Sequence, residues 1–184
     1  MKTAAFCADS ASEGRPVYVG CDDAGFEAKQ TVLQVLEELG LAYVDCGGGD
    51  EPSRYPWYAA KVAAAVSEGR ADFGILICGS GIGMSIAANK LPGVRAAVVS
   101  DVYGARLTRR HNDSNVLCLG GRLLGPWQIA EITRTWLSTA YDGGHHEDSL
   151  ALIRQMEAVT MTGARWCPEE QPYEPFDWDP EQGL

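Results

Sequence analysis

The chain has 184 residues, 46% of them hydrophobic and 22% charged, with a formal net charge of −10. That length suffices for one domain with a real core, and so acidic a chain repels phosphate backbones, which excludes a general DNA- or RNA-binding protein but leaves small anionic substrates open to a local basic pocket. No apolar run approaches the roughly 18–20 residues that a membrane span requires, so no membrane partner is expected.

Residues 1–15 carry several small polar residues and no apolar h-region, and read as a disordered lead-in rather than a signal peptide. Residues 16–21 form a short apolar run that ends at Asp22 and Asp23, a first strand. Residues 25–39 show helical spacing, stopped by Gly40. A second strand follows over 41–46, then a Gly/Asp/Pro loop over 47–54. Residues 55–68 read as a helix with Pro56 in its first turn. The third strand, 73–78, is wholly apolar, "FGILIC". A helix over 84–90 is ended by Pro92 and Gly93. A strand over 95–99, a helix over 102–111, a strand over 116–119 and a helix over 126–139 come next. A last helix, 148–160, is set off by Gly143 and Gly144.

Strands alternating with helices imply β-α-β units and a parallel sheet. The expected fold is α/β: one three-layer Rossmann-like domain over residues 16–160, a five-stranded parallel sheet with helices on both faces. Residues 161–184 form an acidic tail; from residue 163 it holds four prolines, six acids and one arginine. It reads either as solvated chain or, given Trp166, Tyr173, Phe176 and Trp178, as a segment packed along the domain or a partner subunit. The six cysteines, at 7, 21, 46, 78, 118 and 167, contain no C-x-x-C pair. Zinc sites and disulfide scaffolds are thereby disfavoured, and a reducing cytoplasm is the expected compartment.

In open α/β sheets the working loops lie at the carboxyl ends of the strands. The most informative stretch is residues 77–90, "ICGSGIGMSIAANK". The glycines of 79–83 miss the dinucleotide fingerprint, because position 84 is Met, and no Walker lysine follows. Such a loop still lets backbone N–H groups converge on an anion or an oxyanion. Cys78 directly precedes it, and the start of a helix favours the thiolate form of a nearby thiol. A thiolate beside an oxyanion cradle can act as a nucleophile in acyl transfer, or as a base removing a proton next to a carbonyl. The second constellation is "RRHNDSN", residues 109–115, in which His111 sits at a helix end suited to acid–base work. His145 and His146 are adjacent in sequence and so rarely point at one ion; no metal is expected from that pair.

These residues resemble a known family. The blocks "GCDDAGFEAK", "YPWYAAKVAAAV", "ILICGSGIGMSIAANK", "GVRAAVVSDVYGARLTRRHNDSNVLCLGGRLLG" and "YDGGHH" are similar to ribose-5-phosphate isomerase B and the galactose-6-phosphate isomerase subunits, over residues 17–156. The resemblance implies aldose–ketose isomerisation through a cis-enediol, with no metal and no cofactor. It also implies a homodimer, or a dimer of dimers, whose active sites are shared between subunits. By motif position Cys78 matches the base that moves the proton between C1 and C2, and Ser80 the hydroxyl that assists at the oxygens. The amides of Gly79, Gly81, Ile82 and Gly83 match the enediolate cradle, and His111 matches the residue that opens the sugar ring. Asn112 matches a substrate contact, Asp22 a carboxylate that orients hydroxyls, and Arg122 a position near the phosphate.

Three positions depart from the family pattern. Asp23 stands where many members have His, and His145 and Ser149 stand where ribose-phosphate enzymes often have Arg. Each lost charge-assisted bond to a phosphate weakens binding by about 1.5–3 kcal/mol. The expectation is therefore an isomerase with the catalytic half of the site retained and an altered substrate preference: a different sugar phosphate, a free sugar, or an acidic sugar bound through Arg122 or Arg54. The alternative is a non-catalytic sugar-binding or regulatory protein on the same fold.

Overall fold

The computed structural model describes residues 14–49 and 53–161. Most of the lead-in and nearly all of the acidic tail, with Cys7 and Cys167, lie outside these residues. Among the described residues five strands alternate with helices: β1 (Val17–Cys21), α1 (Phe26–Glu38), β2 (Tyr43–Asp45), α2 (Tyr55–Ser67), β3 (Gly74–Cys78), α3 (Ile82–Ala88), β4 (Ala96–Val98), α4 (Val102–Asn112), β5 (Val116–Gly120), α5 (Pro126–Ser138) and α6 (His146–Thr160). A 3-10 turn, Asp23–Gly25, joins β1 to α1. All neighbouring strands are parallel, in the order β2-β1-β3-β5-β4. The expected α/β three-layer architecture is the one observed.

The alternation of side chains along each strand builds the two layers. On β3, Ile75 and Ile77 face one apolar cluster, which also takes Ala28, Val32 and Leu36 of α1, Ala105 of α4, and Ile129, Ile132 and Trp136 of α5. Leu76 and Cys78 face the other, with Ala59, Val62 and Ala63 of α2 and Met84 and Ala88 of α3. Burial on both faces explains why "GILIC" is apolar throughout. Each fully buried aliphatic side chain here contributes about 1.5–3 kcal/mol.

Two helices begin earlier than their apolar spacing indicates. α3 starts at Ile82 rather than at 84, because Gly81 at φ 78° turns the chain directly into the helix. α6 starts at His146 rather than at 148, after Gly143 (φ 65°) and Gly144 (φ 61°). Ile82 is exposed and Gly83 has no side chain, and α6 opens with polar residues, so neither first turn extends a buried apolar stripe that periodicity would register.

Arg109 belongs to the core rather than to the surface of α4. It is buried, and its guanidinium lies 4.9 Å from the Phe73 ring centroid and 5.7 Å from that of Trp136. Nη1 donates to the Asp113 carboxylate and to the Ser114 carbonyl, both at 2.7 Å. Asp113 holds the left-handed conformation (φ 45°) that ends α4. The "RRHND" turn is thus bolted to the sheet.

Candidate active site

The sheet order creates a switch point between β1 and β3. The chain runs from β1 outward to β2 and then returns past β1 to β3, so the helices leaving β1 and β3 go to opposite faces and open a crevice at the carboxyl ends. Asp22 and Cys78 stand side by side at this crevice. Cys21 pairs with Ile77, and the Asp22 amide donates to the Ile77 carbonyl at 3.3 Å.

The loop after Cys78 is short and internally tied. Gly81 N–H donates to Cys78 Sγ at 3.1 Å, and Ile82 N–H donates to Ser80 Oγ at 3.3 Å. The loop is pinned to the end of β5, where Gly121 N–H donates to the Cys78 carbonyl (2.8 Å) and Arg122 N–H to the Gly79 carbonyl (3.1 Å). Gly81 has no room for a side chain, since a Cβ there would lie 3.0–3.2 Å from the Leu119 backbone. Gly83 is covered by the ring of Tyr55, which a Cβ would meet at 2.8 Å. Cys78 itself is buried but sits at the strand's tip, while Gly79, Ser80 and Gly83 are half-buried and Ile82 is exposed.

The electrostatics at this end are mixed. Asp22 is buried and accepts from Gly25 N–H at 3.1 Å. Burial first, and then the neighbouring Asp23, pushes its carboxyl up to about 6, against the pull of the Gly25 amide and of Arg122. The Arg122 side chain runs beside Gly79, its Cδ 3.5 Å from where a Cβ would stand. Asp23 Oδ1 accepts from Ser53 N–H at 3.3 Å, which ties the turn after β1 to the approach to α2. Lys29 is buried, paired with Asp45 at 2.9 Å and donating to the Gly48 carbonyl at 2.8 Å.

The remaining sequence-derived site residues lie elsewhere. His111 and Asn112 end α4, and the turn after them supplies the Asn115 carbonyl to Gly74 N–H at the start of β3. Cys78 is at the other end of that strand, four residues or about 13 Å away at ~3.3 Å per residue. His145 and Ser149, at the start of α6, join the His111 group: Asp142 N–H donates to the Arg110 carbonyl at 3.0 Å, and the Arg110 guanidinium returns a two-pronged ion pair to Asp142. The His146 ring stacks on that of His111 at 4.4 Å and meets that of His145 at 4.0 Å. Within one protomer, then, Asp22, Asp23, the loop 78–83 and Arg122 form one group, and His111, Asn112, His145 and Ser149 another.

Sequence reasoning missed Tyr55, Asp142 and His146 as neighbours of these groups. Tyr55 opens α2 next to Pro56 and reads only as a helix start. Asp142 and His146 come together because Gly143 and Gly144 curl the chain, which the double glycine hints at without giving its hand.

Comparison with known proteins gives a consistent result. The Ribose/Galactose Isomerase family matches residues 17–153. Ribose-5-phosphate isomerase B of Escherichia coli is 44% identical over 144 residues, 78% of this chain and 97% of that one. A D-erythrulose-4-phosphate isomerase of Pectobacterium atrosepticum is 39% identical over 131 residues, 70% of this chain and 86% of the other. The solved structure of the type B ribose 5-phosphate isomerase of Trypanosoma brucei superposes with a TM-score of 0.76 at 45% identity, covering 79% of this chain and all of that one. With its sheet order, its glycine loop and this breadth of identity, the chain belongs to the ribose/galactose isomerase family of aldose–ketose isomerases.

Proposed function

We propose that this protein interconverts an aldose and its ketose through a cis-enediol, on a sugar phosphate or a closely related sugar. The observation that carries the reading is the Cys78 sulfur at the tip of β3, within the sheet's switch point and in contact with the amide of Gly81. As thiolate, Cys78 takes the proton from C2 of the open-chain aldose and returns it to C1, while the C1 oxygen gains a proton and the C2 oxygen loses one. Ser80 assists at these oxygens. The backbone N–H groups of Gly79, Ser80, Gly81, Ile82 and Gly83 are the candidate donors to the enediolate, with substrate displacing the internal bond from Ile82 to Ser80. Asp22 orients hydroxyls, Asn112 contacts substrate, and His111 opens the cyclic sugar.

The distance between the two groups supports a site shared across a homodimer, His111 and Asn112 coming from one subunit and Cys78 from the other. A two-fold interface supplies both directions of that exchange at once. Asp23, His145 and Ser149 offer less fixed positive charge than the arginines common at the last two positions, so Arg122 carries the anionic end of the substrate. The substrate is then one whose tail is shorter or less charged than that of ribose 5-phosphate. The Pectobacterium relative, described as acting on a four-carbon sugar phosphate, illustrates that latitude in the family. A cytoplasmic location is compatible with the free cysteines Cys21, Cys46, Cys78 and Cys118.

The test is solvent exchange. Incubation in deuterium oxide with free and phosphorylated tetroses, pentoses and hexoses places deuterium at the exchanging carbon with the native protein and none with Cys78→Ala. Exchange unchanged in Cys78→Ala, or absent on every sugar, refutes the proposal. Subunit sharing is tested by mixing inactive Cys78→Ala and His111→Ala proteins under conditions that exchange subunits. About a quarter of native activity on a cyclic substrate returns, since half of the dimers each regain one intact site of two; no return refutes sharing.

A further inference from the structure

The second group contains more than the isomerase reading uses. His111, Asp142 and His146 offer one ligand atom each, and these three atoms all lie within 4.8 Å of one another. Their arrangement is built rather than incidental. Asp142 is held from two sides by Arg110, through the backbone carbonyl and through the guanidinium. The left-handed pair Gly143 and Gly144 then curls the chain so that His146 returns over the end of α4 and stacks on His111. Two imidazoles and a carboxylate are the donor set that first-row transition metals favour, and zinc among them accepts it in a tetrahedral shell.

We propose that His111, Asp142 and His146 bind one divalent transition-metal cation of the zinc class, with the remaining coordination position open to solvent. A zinc ion about 2.0–2.2 Å from each ligand needs neighbouring ligand atoms ~3.3–3.5 Å apart. The trio therefore closes by rotation of the two rings out of their parallel stack, and Asp142 shares its carboxylate between the ion and Arg110. His146, the first residue of α6, presents its ring directly to that of His111. Glu147, next in the chain, is engaged by Arg154 and by the Tyr141 hydroxyl and stays outside the shell. Adjacent residues such as His145 and His146 rarely point at one ion, whereas this trio gathers the end of α4, the loop at Asp142 and the first residue of α6. The ion is not a participant in the isomerisation. Its occupancy withdraws His111 from acid–base use, so it acts as an inhibitor of any step that needs that imidazole. The site itself does not depend on the isomerase reading.

The experiment is a titration of the full chain, first stripped with EDTA, with zinc chloride in a non-chelating buffer. It is followed by calorimetry and by the imidazole signals in nuclear magnetic resonance; the chain has three histidines, so each ring is separable. One saturable ion per chain is expected, with the His111 and His146 rings responding and His145 little changed. Asp142→Asn and His146→Asn weaken the affinity at least tenfold, and His145→Asn changes it less than threefold. The imidazole response of the unmutated protein keeps the test decisive if Asp142→Asn disturbs the loop. No saturable site, a response confined to His145, or equal affinity in Asp142→Asn and His146→Asn overturns the proposal.

Discussion

Gly81 carries the turn that brings the loop amide onto the Cys78 sulfur, and replacing it by alanine perturbs two separable quantities. The first is conformational: at φ 78° an alanine pays the left-handed penalty of about 1–2 kcal/mol. The second is steric. The new Cβ would lie 3.0–3.2 Å from the backbone of Leu119, on a central strand that cannot retreat without shifting the sheet, and overpacking of that kind costs about 1–3 kcal/mol. Gly93 provides the control, because it has nearly the same φ, 74°, with nothing within 4 Å of an added Cβ. Gly93→Ala is therefore expected to cost about 1–2 kcal/mol and Gly81→Ala about 2–5 kcal/mol. With a urea m-value of about 2 kcal/mol/M, the midpoint falls by about 0.5–1 M for the first and about 1–2.5 M for the second. The assay is urea unfolding followed by circular dichroism, at one protein concentration for all variants. Equal midpoints for the two variants, or a smaller shift for Gly81→Ala, would refute the claim that Leu119 closes this loop from below.

Other outcomes follow from the same geometry. Asp22 has a folded-state value of about 6 against an ordinary 3.8, so its protonation stabilises the fold; that contribution is complete below the ordinary value and is lost as the pH rises through about 6. Asp22→Asn should accordingly be more stable than the native protein at pH 7.5, by on the order of 2–3 kcal/mol, with the gap closing by pH 4; urea midpoints across this range check it, and a gap that widens toward acid contradicts it. Arg109→Met should lower stability by about 1–3 kcal/mol, since it strands the Ser114 carbonyl and leaves Asp113 paired with Arg95 alone; thermal unfolding measures this, and an unchanged midpoint would mean the guanidinium is not structural. His145→Arg combined with Ser149→Arg should raise kcat/KM for phosphorylated over free sugars by about 10²–10⁴-fold, two restored bonds of about 1.5–3 kcal/mol each. An unchanged ratio would remove these positions from the substrate-tail pocket.

Strand-and-helix order was legible in the chain because apolar periodicity directly reports which residues each element buries. The all-apolar "GILIC" announced a central parallel strand, and the glycines of 79–83 announced a loop at its tip. The family blocks likewise named Cys78, His111 and Arg122 as residues to watch. What the chain did not disclose is where those residues stand relative to one another. Separation of His111 from Cys78 follows from α4 running back across the sheet, a consequence of strand order that no local pattern encodes. Nothing in "RRHND" marks Arg109 as interior, yet it fills the core beside Phe73 and Trp136, because only packing decides which face of a helix meets the sheet. The convergence of Asp142, His146 and His111 rests on two left-handed glycines and one arginine clamp. Local propensity determines elements through neighbours in sequence; sites depend on contacts between residues far apart in it, and those exist only once the layers have closed.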